Sequence, residues 1–236
     1  MNETKLSKRL ETVADFVIEG SRIADIGSDH AYLPSFLCVN GRISFAVAGE
    51  VNEGPYQSAL SQVQKLGIAD KVHVRKGNGL EVVSPNEVEH IIIAGMGGAL
   101  ITDILEAGRD KLEGVKRLIL QPNVMADRIR KWLLTNGWEL INEVVLEEDE
   151  RIYEVLVAER GNPDQPYSEN KELELLLGPY LMQEKNPAFI KKWESELQSW
   201  KRILLQFEQA KETEEVNAKK EELIQLISKV EEVVAS

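Results

Sequence analysis

The sequence predicts an α/β fold, in which a doubly wound parallel sheet is followed by a helical domain. Within residues 22–120, five short apolar runs alternate with segments of helical spacing, a pattern typical of parallel strands covered on both faces. A linker at 161–166 with Gly and Pro ends this pattern, and beyond it apolar residues recur with heptad spacing. We therefore predict two domains, over residues 1–160 and 161–236.

The first domain is predicted to begin with a packing helix and to end with a β-hairpin. Helical spacing predicts helices over residues 4–18, 32–39, 54–66, 98–107 and 124–136. The apolar runs predict strands over residues 22–26, 43–48, 72–74, 91–94 and 118–120. Two further β-like runs, 138–146 and 152–158, flank the acidic turn 147–150 and predict an antiparallel hairpin at the sheet edge.

The second domain contains two series of apolar residues with heptad spacing. The first series is Ile190, Trp193, Leu197, Trp200, Leu204 and Phe207, and the second is Leu223, Ile227, Val230 and Val234. The two series do not share one phase, so we predict two antiparallel helices with a turn near 211–216. One long rod stays an alternative, because no Gly or Pro lies at the turn. The Trp193/Trp200 stripe is more typical of a helix–helix core than of a base-stacking platform.

The composition narrows the function classes. The chain has 236 residues with a net charge of −12, which argues against a basic nucleic-acid coat protein but not against an enzyme with a local basic face. One Cys and three scattered His residues predict neither a disulfide framework nor a metal site. The polar N-terminal segment and the lack of long apolar runs predict a cytoplasmic protein with no membrane span.

The most informative loop follows the first predicted strand and reads Ala24-Asp25-Ile26-Gly27-Ser28-Asp29-His30. In open α/β sheets the first such loop cradles the ligand, and Glu50, at the end of the second strand, is placed to bind ribose hydroxyls. A dinucleotide loop would have glycine where Asp29 stands, because a carboxylate repels pyrophosphate. An acidic loop suits the positive sulfur of S-adenosylmethionine instead. A tight acidic turn, in which Asp29 only caps the next helix, is the alternative.

Three further loops leave the same predicted edge. Gly77-Asn78-Gly79 could meet the adenine of a cofactor or be a plain Asn-Gly turn. The glycines of Ala94-Gly95-Met96-Gly97-Gly98 would let the backbone approach a cofactor, and a second dinucleotide fingerprint is a weaker interpretation. Gln121-Pro122-Asn123 brings two amides that could read a nucleobase edge, or it could start a helix with Pro and cap it with Asn.

Three motifs together resemble the bacterial TrmK family. They are Asp25-Ile26-Gly27-Ser28-Asp29-His30-Ala31-Tyr32-Leu33-Pro34, Ala94-Gly95-Met96-Gly97-Gly98 and Gln121-Pro122-Asn123. Members of this family are class I S-adenosylmethionine-dependent methyltransferases that modify N1 of adenine 22 in tRNA. The resemblance implies a Rossmann-like methyltransferase sheet followed by a C-terminal helical, coiled-coil-like domain.

The resemblance also implies where the cofactor lies. It places Asp25, Gly27, Ser28 and His30 around S-adenosylmethionine, with Glu50 at the ribose. The residues that it implies near the cofactor's adenine or methionine end are Asn78, Gly79, Ala94, Gly95 and Met96. Val51 is a further candidate for cofactor binding.

Catalysis by such an enzyme needs few groups, since N1 of neutral adenine already carries a lone pair. Positioning of N1 is the main requirement. Asp29 is the first candidate to stabilise the cationic product, and Gln121 and Asn123 are candidates to orient the base. Basic residues that could meet tRNA phosphates are Arg128, Arg130, Lys131, Lys191, Lys192, Lys201 and Arg202, although an ordinary solvated helix face is the more common role of such lysines.

Two other functions stay open at the level of sequence. A class I methyltransferase with a small-molecule or protein substrate would keep the same cofactor loops. A non-catalytic protein with an inactive Rossmann domain and a coiled coil would belong to a different class, but Asp25, Gly27 and Glu50 argue against it.

Overall fold

The computed structural model describes residues 5–209 and 213–235. Seven strands form one sheet in the order β3-β2-β1-β4-β5-β7-β6. They are β1 (Ser21–Ile26), β2 (Ile43–Glu50), β3 (Val72–Lys76), β4 (His90–Gly97), β5 (Arg117–Val124), β6 (Trp138–Glu148) and β7 (Arg151–Arg160). The first five strands are parallel, and β7 pairs with β5 in the antiparallel direction. The strand order reverses between β1 and β4, so the carboxyl ends of these strands mark the expected ligand crevice.

Helices cover the predicted positions between the strands. They are α1 (Lys8–Asp15), α2 (Tyr32–Val39), α3 (Glu53–Lys65), α4 (Gly98–Ala107) and α5 (Ala126–Thr135). Helix α1 is shorter than the predicted helix over residues 4–18. Its N-terminus is fixed by Ser7, whose hydroxyl accepts a hydrogen bond from the Leu10 N–H at 3.3 Å. Residue 4 of the predicted helix lies outside the described residues. The acidic turn is also shorter, since β6 continues through Glu148 and only Asp149 and Glu150 form the turn.

The largest departure from the predicted elements is at the carboxyl ends of β4 and β5. Both strands run past the predicted ends, to Gly97 and Val124. Pro122 lies opposite Met96, where the register between the two strands shifts, and a residue without an N–H is tolerated at such an irregularity. The interpretation of Pro122 as the start of a helix is therefore wrong, since α5 begins at Ala126.

Residues 145–152 and 167–236 make up a second compact unit, which includes the tip of the β6–β7 hairpin that the sequence prediction left in the first domain. Its helices are α6 (Lys171–Leu177), α7 (Leu181–Glu184), α8 (Pro187–Gln209) and α9 (Glu214–Ala235). The last two pack against each other around Trp193, Leu197, Ile227 and Val230. Because only a short connection joins them, they run antiparallel, and the single rod is wrong. Residues 211 and 212 of the predicted turn lie outside the described residues.

The tryptophan stripe of α8 belongs to this helical core. Trp193 is buried, and its ring centroid lies 6.1 Å from that of the partly buried Trp200. The preference for a helix–helix core over a base-stacking platform is confirmed. Within the described part of the chain, no helix combines the length and apolar character that crossing a membrane requires.

Candidate active site

A buried carboxylate lies at the end of β1. Asp25 is 4% exposed, and the Ser28 hydroxyl donates a hydrogen bond to its Oδ2 at 2.5 Å. The pKa of Asp25 is raised from 3.8 to about 7, chiefly because the carboxyl is buried; the Ser28 hydrogen bond opposes this rise and the nearby charge of Glu50 adds to it. Asp25 is therefore poised between its neutral and ionised forms near neutral pH.

Glu50, at the end of β2, joins the same cluster. The backbone N–H of Asp29 donates a hydrogen bond to its Oε1, and the Gly77 N–H donates to its backbone carbonyl at 2.9 Å. Burial is the main cause that raises the pKa of Glu50. The structure thus brings four predicted residues together, Asp25, Ser28, Asp29 and Glu50, which we call the acidic cluster.

The loop after β1 has an unusual backbone that explains its sequence. Gly27 has a φ of +71°, and a Cβ atom built there would lie 2.2 Å from the Cε of Met96 in β4. The left-handed backbone favours glycine here, and a side chain would in addition require the flexible end of Met96 to move. A ligand can therefore come close to the backbone at the point where the loops after β1 and β4 meet.

Asp29 does not cap the next helix. Asp29, His30 and Ala31 have φ values of 37°, 65° and 55°, so three successive residues take the left-handed conformation. Helix α2, all of whose residues are described, has no side-chain hydrogen bond at its N-cap Ala31. The capping interpretation is wrong, and the exposed carboxylate of Asp29 lies 3.5 Å from the Nε2 of His30.

A second cluster, of amides, lies at the ends of β4 and β5. Gln121 is fully buried, and its Oε1 accepts hydrogen bonds from the Gly95 N–H at 3.0 Å and from the guanidinium of Arg9. The Nε2 of Gln121 lies 3.5 Å from the Oδ1 of Asn123, whose Nδ2 donates to the Gly95 carbonyl at 2.8 Å. We call Gly95, Gln121 and Asn123 the amide cluster. Asn123 and Gly95 are exposed, so the side chain of this cluster that can meet a ligand is that of Asn123.

Arg9 is a residue of this site that the sequence did not reveal. The apolar spacing of α1 predicts a packing helix, and Leu10, Val13 and Ala14 are indeed buried. Arg9, on the same helix, donates a hydrogen bond to Gln121, which is 112 residues away in the chain. No local motif marks such a contact.

The remaining predicted cofactor residues lie after the carboxyl ends of β2 and β3 and in β4. Asn78 and Gly79 begin a short 3-10 turn (Gly79–Val82), and both line a cavity of about 280 Å³ together with Leu100, Asp103 and Ile104 of α4. Val51, next to Glu50, is 54% exposed. Ala94 lies in β4 opposite Gln121. Over residues 5–209 and 213–235, no group of three or more His, Cys, Asp or Glu side chains is arranged to hold a metal ion.

One predicted tRNA contact is wrong. Arg130 is fully buried in α5, where its guanidinium pairs with Glu143 at 2.6 Å and with Glu154. A side chain with no exposed surface cannot reach tRNA phosphates. Arg128 and Lys131, three residues apart, share one face of the helix, whereas Arg130, two residues after Arg128, lies on the inner face.

The other basic candidates are accessible. Arg128 is exposed, and Lys131 pairs with Asp127 at 2.9 Å on the surface of α5. In the second unit, Lys191 pairs with Glu147 at 2.5 Å and Lys201 with Glu231 at 2.6 Å. Lys192 lies over the Trp193 ring at 4.7 Å, and the Arg202 guanidinium contacts the Ser199 hydroxyl at 3.2 Å.

Comparison with known proteins agrees with this arrangement. A family model described as TrmK, tRNA (adenine(22)-N(1))-methyltransferase, matches residues 23–232. The chain belongs to the TrmK family. The tRNA (adenine(22)-N(1))-methyltransferase of Bacillus subtilis (strain 168) is 51% identical to this chain over 235 residues, which cover 99% of both proteins.

Solved structures of TrmK relatives have the same fold. The crystal structure of B. subtilis TrmK superposes with a TM-score of 0.94 at 51% identity and covers 98% of this chain and 99% of that one. A Streptococcus pneumoniae protein in complex with S-adenosyl-L-methionine gives a TM-score of 0.86 at 41% identity, covering 98% and 100%. The predicted Rossmann-like methyltransferase sheet with C-terminal helices is confirmed.

Proposed function

We propose that this TrmK protein transfers a methyl group from S-adenosylmethionine to N1 of adenine 22 in tRNA. The observation that carries the proposal is the meeting of two clusters at one sheet edge. The acidic cluster suits a cationic cofactor, and the amide cluster suits a nucleobase. The close approach of Gly27, after β1, to the Met96 side chain in β4 connects the two clusters. The B. subtilis relative, 51% identical, bears the name of this activity.

The residues of the acidic cluster fit S-adenosylmethionine. When bound, this cofactor supplies an electrophilic methyl group on a positively charged sulfur. Asp25 and Glu50 are buried carboxylates, which favour a cationic ligand and would repel a pyrophosphate. We assign Glu50 to the ribose hydroxyls. The other residues that we assign to the cofactor are Asp25, Gly27, Ser28, His30, Val51, Asn78, Gly79, Ala94, Gly95 and Met96.

The amide cluster fits the target adenine. N1 lies on the Watson–Crick edge of the base, so a paired adenine must leave its stack before it reacts. The Nδ2 of Asn123 donates to the Gly95 carbonyl. Its Oδ1 lies 3.5 Å from the Nε2 of Gln121 and has a second lone pair, which accepts a hydrogen bond from the exocyclic amino group. This contact orients N1, and Gln121 holds Asn123 in place.

Asp29 has a different role in this proposal. Methylation leaves a positive charge on the adenine, because N1 donates its lone pair to the new bond. The exposed carboxylate of Asp29, at the mouth of the first loop, stabilises that charge as it develops. No strong base is required, since neutral adenine reacts through its own lone pair.

Methyl transfer to tRNA tests the proposal directly. Unmodified tRNA is incubated with the protein and S-adenosylmethionine, and the nucleosides are then analysed. We expect 1-methyladenosine from position 22 and no product from tRNA in which guanine replaces adenine 22. A different methylated nucleoside, or equal methylation of both tRNAs, would contradict the assignment.

The domain assignment belongs to the same proposal. Residues 1–160 form the catalytic domain and residues 161–236 a helical domain that assists with tRNA, and the reaction takes place in the cytoplasm. The proposed basic face now comprises Arg128 and Lys131 with the cations of the helical domain, Lys191, Lys192, Lys201 and Arg202.

Cofactor binding is expected to depend on pH through Asp25. Its pKa of about 7 exceeds the ordinary 3.8, so ionisation is disfavoured in the free protein until the pH reaches about 7. Because a cation binds the ionised form, the association constant for S-adenosylmethionine should rise about tenfold per pH unit below pH 7 and level off above about pH 8. Isothermal titration of the wild type and Asp25→Asn measures this, and the variant should lose the steep dependence. An equally steep wild-type and variant curve would exclude Asp25 as its source.

Binding of tRNA is expected to weaken with salt, in proportion to the phosphates contacted. Replacing the exposed Arg128 by Gln should reduce the slope of log K against log salt concentration by about 1 and weaken binding to all tRNA sequences alike. Filter binding at several salt concentrations measures the slope. The matched control is Arg109→Gln, which alters an arginine beyond the carboxyl end of α4 that pairs with Glu106. An unchanged slope for Arg128→Gln would remove it from the basic face.

A further inference from the structure

The guanidinium of Arg9 lies where three strands of the first unit meet. It donates a hydrogen bond to the Oε1 of Gln121 in β5, and its carbon atom Cζ lies 5.4 Å from the centre of the Tyr153 ring in β7. Its Nη1 is 3.7 Å from the place where a Cβ of Gly95 in β4 would stand. Helix α1 thus places the guanidinium of Arg9 within the amide cluster.

This contact determines how the Gln121 amide is turned. Two N–H donors, from Arg9 and Gly95, point at one atom of the amide, and only the oxygen can accept from both. The Nε2 must therefore face the other way, towards the Pro122 carbonyl at 2.8 Å and the Oδ1 of Asn123 at 3.5 Å. In the reverse orientation an NH₂ group would oppose two donors in a buried position, which is costly.

We propose that Arg9 is a positioning residue of the reaction, which holds the Gln121 amide in the one orientation that presents Asn123 to the target adenine. The inference rests on the proposed contact between Asn123 and the base. Arg9 acts through Gln121, and Gln121 acts through Asn123. The side chain of Asn123 is then held from both ends, by Gln121 and by the Gly95 carbonyl.

Arg9 also acts on the acidic cluster. Burial raises the pKa of Asp25, and the positive charge of Arg9 opposes that rise. The same cation therefore lies close enough to influence the carboxylate assigned to the cofactor while it binds the amide assigned to the substrate. This dual position supplies a readout that a merely structural residue of α1 would not give.

Turnover measurements test the inference. Arg9→Gln is expected to lower kcat for tRNA methylation about 100-fold, because a misplaced base loses its reactive geometry, with KM for tRNA changed less than threefold. Arg9→Lys keeps the charge and a donor and is expected to recover most of kcat. The matched control is Lys8→Gln on the exposed face of α1, for which we expect a normal kcat. In addition, Arg9→Gln should move the pH midpoint of cofactor binding upwards.

A double-mutant cycle separates the possible causes of a loss. If Arg9 works through Gln121, the variant Arg9→Gln/Gln121→Ala should be no slower than Gln121→Ala alone. Additive losses, or a normal kcat in Arg9→Gln, would overturn the inference. A normal kcat in Asn123→Ala would instead overturn the proposed base contact itself. Circular dichroism and urea midpoints of each variant distinguish misfolding from lost positioning.

Discussion

Substitution of Asp29 by Asn is expected to lower kcat by about 10²–10³-fold while the Kd for S-adenosylmethionine stays within about threefold. The exposed Asp29 carboxylate stabilises positive charge only as the methyl group reaches the base, so its loss raises the barrier more than it weakens binding. Asn has the same shape and tolerates the left-handed backbone found at this position, where φ is 37°. The substitution therefore removes a charge and leaves the loop intact.

Single-turnover methylation and isothermal titration of the cofactor together decide the role of Asp29. Asp70→Asn is the matched control, since this exposed carboxylate precedes β3 at the opposite, amino-terminal edge of the sheet. A parallel rise in Kd and fall in kcat would mean that Asp29 only holds the cofactor. Full turnover with a normal Kd would remove it from the reaction altogether.

Replacement of Arg130 by Met is expected to lower the free energy of unfolding by about 3–5 kcal/mol. The buried guanidinium pairs with Glu143 of β6 and Glu154 of β7, so its loss leaves two carboxylates buried without their cation. Met fills a similar volume, which keeps the cavity contribution small. Urea denaturation followed by circular dichroism measures the change.

Two comparisons make the Arg130 experiment specific. Arg128→Gln, two residues earlier on the exposed face of the same helix, should change stability by less than about 0.5 kcal/mol. Replacing Arg130, Glu143 and Glu154 together with apolar side chains should recover most of the loss, because no unpaired charge then remains buried. A wild-type urea midpoint for Arg130→Met alone would contradict the argument.

Local patterns predicted most of the fold because each element depends on nearby residues. The apolar runs that become β1 to β5 alternate with helical spacing, and helices α2 and α4 have the predicted bounds. The ends of β4 and β5 were predicted less well. There, tertiary pairing carries Gly95 and Pro122 into the sheet, although Gly and Pro locally favour loops.

In the candidate site too, the features set by local sequence could be predicted, and those set by distant partners could not. Asp25, Asp29 and Glu50 could be predicted to meet because parallel strands bring their carboxyl ends to one edge. Arg9 and Arg130 could not be placed correctly, since the function of an arginine depends on partners that are distant in sequence. Arg9 finds Gln121 across 112 residues, and Arg130 finds its partners 13 and 24 residues away.

The irregular pairing between β4 and β5 has a consequence for the entropy of substrate binding. Gly95 falls where the register shifts, and its N–H and carbonyl are bound by the side chains of Gln121 and Asn123. These two side chains thus take the place of a neighbouring strand and lose their rotational freedom when the chain folds. The conformational entropy of the base-binding amides is therefore lost when the protein folds, and little further entropy is lost when tRNA binds.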